Sequence, residues 1–135
     1  MIQFYFLSIV CNALAGYALT RNTDELDDIK PQPLFTLSAR NPTFRLLLGL
    51  LSSVTGLFKL LSATDIPVAG DMIPALTGIG SGVLLFYDYY ANTSTLKIES
   101  KLGTFLTEKK TKKGFGVWSC VVAALHFLFP HMLFF

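Results

Sequence analysis

Polar side chains inside long apolar stretches are the groups of this chain whose types and spacing point to chemistry. At 1.5 Å per residue, Asn12 and His126 each lie about 15 Å inside an apolar stretch. The other two stretches carry hydroxyl groups at the same level: Ser52, Ser53, Thr55 and Ser81. The number of residues from the end of each stretch therefore predicts a polar layer near the middle of four packed helices.

This polar layer has two interpretations. Histidine titrates near neutral pH, so His126 in a layer with Asn12 is typical of a proton or solute pathway. Alternatively, the same groups hydrogen-bond between helices and hold them together. We favour hydrogen bonding because no carboxylate lies at this depth to partner the histidine.

Asp88 is the acidic residue whose position most needs a partner. It lies in an aromatic run at the end of the third apolar stretch, where the helix dipole disfavours an anion. A cation must therefore lie close, and the candidates are Arg45, Arg21 and Lys97. Both an ion pair at a membrane interface and a site for a ligand or lipid headgroup fit this position.

Lys59 and two carboxylates form another charged group between the second and third stretches. Asp71 precedes the third stretch, with Pro74 in its first turn, which is typical of a helix N-terminus. Lys59 can reach Asp65 or Asp71 by extending its side chain toward water. We therefore predict a structural ion pair here rather than a transport site.

Small residues on the second and third stretches predict close helix packing. They recur at four-residue or similar spacing, which lets two backbones approach. The predicted packing residues are Gly49, Gly56, Gly78 and Gly82. A hinge in the third stretch is the alternative use of its glycines.

Sequence signatures of catalysis are missing. The chain has no phosphate-binding loop, dinucleotide fingerprint, zinc-protease motif or nucleophile elbow. Its two histidines, His126 and His131, are five residues apart and point in different directions on a helix. The acidic run at 24–28 lacks the glycine turn of a calcium loop. We expect no enzyme activity, cofactor, metal or nucleic-acid partner.

The elements that position these residues are four apolar stretches of membrane-spanning length. Hydrophobic residues make up 52% of the chain and charged residues only 15%. About 20 residues cross a hydrocarbon core of about 30 Å. We predict an all-α integral membrane protein, a four-transmembrane-helix bundle in one domain over residues 1–135. The predicted spans are residues 2–20, 44–63, 72–90 and 115–134.

The positive charges orient the predicted bundle. Of 11 Lys and Arg residues, only Lys59 lies near the second loop, and neither terminus carries any. The other ten flank or occupy the first and third loops, so the positive-inside rule makes these loops cytoplasmic. Both termini then lie on the outer side. A bacterial inner membrane is the expected location.

The third loop carries an apolar pattern with basic flanks. Ile98, Leu102, Phe105 and Leu106 recur at helical spacing. They predict an amphipathic helix that lies in the inner membrane interface, with anionic lipids as its partners. A segment that docks a protein partner is the alternative. Lipid or partner contact is predicted for six lysines: Lys97, Lys101, Lys109, Lys110, Lys112 and Lys113.

Two functional hypotheses follow. The first is a non-enzymatic subunit or accessory partner of a larger membrane complex, because the loops are charged and no catalytic set is present. The second is a small oligomeric transporter or channel that uses the layer of Asn12 and His126, with Asp88 as a further member. The expected partners are the bilayer and either another protein or further copies of the chain.

Overall fold

The computed structural model describes residues 2–21, 41–61, 72–94 and 101–129, and across these residues the protein is all-helical, with five helices and no strand. The all-α prediction is thereby confirmed. The helices are α1 (Ile2–Thr20), α2 (Pro42–Leu61), α3 (Met72–Thr93), α4 (Lys101–Thr107) and α5 (Lys109–Leu128). Gln3–Thr20 and Pro42–Leu61 are long and apolar enough to cross a membrane.

Helix bounds differ most from the predicted spans at α5, which runs from Lys109 to Leu128 where residues 115–134 were predicted. α1 coincides with the prediction, whereas α5 begins at Lys109 instead of residue 115. The predicted bound followed hydropathy, but a helix ends where its hydrogen bonds end. Lysine is a good helix former, and the Lys112 amide donates to the Glu108 carbonyl at 3.1 Å. The first turns of α5 are therefore lysine-rich.

Two residues, Asn41 and Pro42, explain where α2 begins. Pro42 is the first helical residue, where its missing N–H is tolerated. The Asn41 side-chain oxygen accepts a hydrogen bond from the Thr43 amide at 2.9 Å. This cap begins α2 two residues before the predicted bound and places Arg45 in its first turn.

The four long helices pack as two antiparallel pairs, α1 with α5 and α2 with α3, and α1 also contacts α2 and α3. Contacts along each pair give the direction. In the first pair Tyr5 contacts His126, while Gly16 approaches Gly116 further along. In the second pair Gly56 approaches Ala75. α4 contacts α3 and α5 at one end of the bundle.

Glycines set the distance between the helices of each pair. A Cβ atom on Gly16 would lie 2.6 Å from the Gly116 carbonyl oxygen, closer than real Cβ contacts. A Cβ atom on Gly82 would likewise lie 2.6 Å from the Gly49 carbonyl oxygen. The four glycines predicted to pack lie where α2 meets α3, and Gly78 also faces Asn12.

The bundle is polar inside and apolar outside. Among the described residues, twelve polar or charged residues are buried, against ten apolar ones. Large apolar side chains are exposed along every long helix, for example Val10, Leu57, Leu76 and Val121. Soluble domains show the reverse distribution.

We predict opposite effects for alanine at two neighbouring glycines of α5. Gly116→Ala places a methyl group 2.7 Å from the Gly16 carbonyl oxygen, so the bundle must shift at a cost of about 1–3 kcal/mol. Gly114→Ala meets no atom within 4 Å and is expected to stabilise the helix by about 0.5–1 kcal/mol. Thermal unfolding of the detergent-solubilised variants measures both changes. Equal melting temperatures for the two variants would contradict the close approach of α1 and α5.

Candidate functional site

Polar residues recur every seven positions on the inward faces of the long helices. Seven residues are about two helical turns, so such residues share one face at steps of about 10 Å. The series are Tyr5 and Asn12 on α1; Arg45, Ser52 and Lys59 on α2; Ser81 and Asp88 on α3; and Lys112, Ser119 and His126 on α5. The helices thereby bring together three polar clusters along the bundle axis.

The first cluster, here called the charged cluster, consists of Arg45, Asp88 and Lys112. Arg45 Nη2 lies 2.8 Å from Asp88 Oδ2, and Lys112 Nζ donates to Asp88 Oδ1. All three residues are buried. One carboxylate therefore pairs with two cations from different helices, and its contact with Lys112 is a charge-assisted hydrogen bond, which is stronger than a neutral one.

Helix geometry explains why Lys112 and Asp88 meet. Lys112 lies in the first turn of α5, where the positive end of the helix dipole disfavours a cation. Asp88 lies one turn before the last turn of α3, toward the end of the helix that disfavours an anion. Each charge offsets the unfavourable position of the other. The Asp88 carbonyl also accepts a hydrogen bond from Asn92 Nδ2 at 2.8 Å, which joins it to the last turn of α3.

The structure corrects the assignment of Lys112. Lipid or partner contact was expected for it, but it is buried against Asp88 because α5 begins at Lys109 and turns Lys112 inward. Of the candidate cations for Asp88, Arg45 makes the contact, whereas Arg21 donates to the Tyr17 hydroxyl at 2.9 Å. Lys97 lies outside the described residues.

The second cluster, the hydroxyl–amide cluster, contains Asn12, Ser52, Ser81 and Ser119. Asn12 Nδ2 donates to the Pro74 carbonyl at 3.1 Å, and Ser119 donates to the Asn12 carbonyl at 2.8 Å. Ser52 and Ser81 donate to the Gly78 carbonyl at 3.0 and 3.1 Å. Side chains of all four long helices thus bond to backbone carbonyls, three of them on a neighbouring helix and Ser81 on its own.

Two other hydroxyl groups of the predicted layer lie beside this cluster. Thr55 donates to the Leu51 carbonyl of its own helix at 2.6 Å. Ser53 faces the surface of α3 that Gly82 leaves open, since a Cβ atom there would lie 2.0 Å from the Ser53 oxygen. Both residues fill space between helices.

The third cluster, the lysine–histidine cluster, contains Tyr5, Lys59 and His126. Lys59 Nζ lies 2.7 Å from His126 Nε2, a distance at which one nitrogen donates and the other accepts. The Tyr5 hydroxyl donates to the His126 carbonyl at 2.5 Å, and the two rings are 4.7 Å apart. Lys59 and His126 are buried.

His126 does not share a level with Asn12, contrary to the prediction. Counting from residue 115 placed His126 at mid-depth, but α5 begins six residues earlier. Ser119, which the sequence reading did not select, lies against Asn12, and His126 lies against Tyr5 about two turns away. The seven-residue spacing of Lys112, Ser119 and His126 is the sequence signal that identifies this face.

An apolar cluster separates the charged cluster from the hydroxyl–amide cluster. It consists of Ala15, Ala18, Leu19, Leu48, Leu84 and Leu85. On α2, Leu48 lies between Arg45 and Ser52, and on α3 the two leucines lie between Ser81 and Asp88. Among the described residues, the buried charged side chains therefore lie toward the two ends of the bundle axis.

The remaining predicted site residues divide into exposed and undescribed ones. Lys101, Lys109, Lys110 and Lys113 are exposed, as predicted contact residues must be. Asp65, Asp71, the acidic run at 24–28 and His131 lie outside the described residues. Within the described part of the chain, no three His, Cys, Asp or Glu side chains group closely enough to hold a metal ion.

Comparison with known proteins identifies relatives without an assigned activity. A protein-family model matches residues 1–126. An uncharacterized protein of Treponema pallidum (strain Nichols) is 33% identical over 136 residues, which cover 99% of each chain. No solved structure matches the chain.

The charged cluster generates a stability prediction. Asp88→Asn leaves two buried cations without their carboxylate and is expected to destabilise the bundle by about 3–5 kcal/mol. Adding Lys112→Met to Asp88→Asn removes one of these cations and should restore part of the loss. Unfolding of the solubilised variants with increasing denaturing detergent measures the changes.

Lys113→Gln is the matched control, because Lys113 is the exposed neighbour of Lys112. Its effect should stay within about 0.5 kcal/mol. If Asp88→Asn unfolds no more readily than Lys113→Gln, the charged cluster does not hold the helices together.

Proposed function

The chain belongs to the same protein family as the Treponema pallidum relative, and we propose that it is a four-span membrane protein that acts without catalysis as a subunit or accessory partner of a larger membrane complex. The observation that carries the membrane placement is the inverted polarity of the bundle. Exposed apolar surface on this scale is stable in lipid and unfavourable in water.

Further features support four spans. The core helix of a soluble protein is mostly buried. In contrast, only 39% of the apolar segment of α1, and likewise of α2, is buried inside the bundle. By length alone α3 and α5, with 22 and 20 residues, can also cross a bilayer, although among the described helices only α1 and α2 are in addition apolar enough over their length. Both also expose large apolar side chains, among them Val83, Phe86 and Phe127.

The proposed orientation puts the charged cluster at the cytoplasmic end. Arg45 lies in the first turn of α2, Lys112 in the first turn of α5 and Asp88 near the end of α3. α4 and the exposed lysines lie on the same side. The termini and the lysine–histidine cluster then face outward, and a bacterial inner membrane remains our proposal for the location.

The subunit role is supported by how the polar groups are used. In the hydroxyl–amide cluster the side chains bond to backbone carbonyls, which is the role of polar residues that hold membrane helices together. The exposed lysines offer a cytoplasmic surface for an acidic partner. The chain thus has a rigid membrane part and a charged end for docking.

We expect a stoichiometric unrelated protein in native mass spectrometry of the gently purified protein. Changing Lys109, Lys110 and Lys113 to glutamine should release it, because these exposed cations are proposed to face the partner. Arg21→Gln, which removes an exposed charge directly after α1, is the control and should retain the partner. Finding only the lone chain or its homo-oligomer would contradict the subunit role, and an unchanged complex would contradict docking through these lysines.

A transporter or channel is the second candidate, favoured by the contact of Lys59 with His126. Lys59 and His126 are two buried ionisable groups near the end of the axis opposite the charged cluster, and the hydroxyl–amide cluster lies between these two ends. Intramembrane ionisable residues commonly mark proton and ion pathways.

This second candidate predicts flux that depends on His126. His126→Ala should abolish proton or ion flux in proteoliposomes while the protein still inserts, because the buried contact between Lys59 and His126 is lost. Ser53→Ala removes a polar group outside the seven-residue series and should leave flux unchanged. Absence of flux from the unmodified protein under an imposed gradient would count against transport.

A further inference from the structure

α4 has one face that packs on the bundle and a neighbouring apolar face that is exposed. Gly103 is buried, and Leu106 packs against the apolar cluster of the bundle. On the adjacent face Leu102 and Phe105 are 74% and 59% exposed, and Leu102 is the most exposed of the large apolar side chains described. The contacts of α4 with α3 and α5 hold the helix in place, so this apolar face points away from the bundle.

Exposed basic residues flank this outward face in the sequence. Lys101 begins α4, and Lys109, Lys110 and Lys113 follow in the first turns of α5, all of them exposed. Glu108 is the single exposed acidic residue among residues 101–113, all of which the structure describes. The surface therefore combines protruding apolar groups with an excess of positive charge.

We propose that α4 lies in the cytoplasmic membrane interface and selects anionic phospholipids. Leu102 and Phe105 insert between acyl chains, while Lys101, Lys110 and Lys113 bind the phosphate-containing headgroups. Charge complementarity favours anionic lipids as the partner, because lysines near the membrane are attracted to anionic leaflets. The apolar side chains provide the surface that inserts into the bilayer. The inference rests on the membrane placement proposed above and adds a lipid class and a contact surface.

The position of α4 is tested by fluorescence. Phe105→Trp is made together with Trp118→Phe, so that one indole reports on α4, and the protein is reconstituted into phosphatidylcholine vesicles with or without 30% phosphatidylglycerol. Bromines placed along the acyl chains should quench this indole, and aqueous iodide should quench it less. Leu102→Asn should reverse this order because the helix loses an inserted side chain.

Lipid selection is tested by native mass spectrometry. From nanodiscs with equal amounts of the two lipids, the protein should retain several-fold more phosphatidylglycerol than phosphatidylcholine. Joint change of Lys101, Lys110 and Lys113 to glutamine should abolish this preference. Leu61→Asn, at an exposed apolar site at the far end of α2, is the control and should preserve it.

The outcomes separate this inference from the membrane placement itself. If the protein is extracted from membranes by alkaline carbonate, both the four-span proposal and this one are wrong. If the protein stays in the membrane but only iodide quenches the indole, α4 lies in water and only this inference is wrong. Protection from both quenchers shows that a protein or second copy covers α4, which also overturns it, as does equal retention of the two lipids.

Discussion

Asp88 is the residue on which the arrangement of the bundle most depends. Its carboxylate is buried and receives a cation from α2 and another from α5, so three of the four long helices meet at one group. A buried charge without a partner is very costly, and these helices therefore cannot move apart or slide freely at this end. The positions of Arg45 and Lys112 follow from that requirement.

In the rest of the interior, the helices are held at short distances by glycines. Glycines bring α1 to α5 and α2 to α3, so short side chains reach carbonyl oxygens across the interface, as Ser52 does at Gly78. Longer side chains would separate the helices and break these bonds. The apolar cluster around Leu48 then excludes polar groups between the charged and hydroxyl–amide clusters.

The two ends of the axis differ in chemistry, and the proposed functions use this difference. At one end a carboxylate neutralises cations from two helices. Near the other, Lys59 lies against a histidine and the Tyr5 ring. The first arrangement is suited to holding helices together beside a charged surface, whereas the second contains two ionisable groups in contact. The proposed docking and lipid contact use the end that carries α4, and the proposed transport uses the opposite end.

The amino-acid sequence by itself determined the all-helical class and the bounds of α1, because apolar runs of this length have few alternatives to helix. Arg45 was also among the cations that it proposed for Asp88. Only the tertiary structure decided that Lys112 is buried and that Ser119 rather than His126 lies against Asn12. Hydropathy marks where apolar residues end, not where helical hydrogen bonding ends. The partner of a buried polar group depends on the register between helices, which packing sets and composition does not reveal.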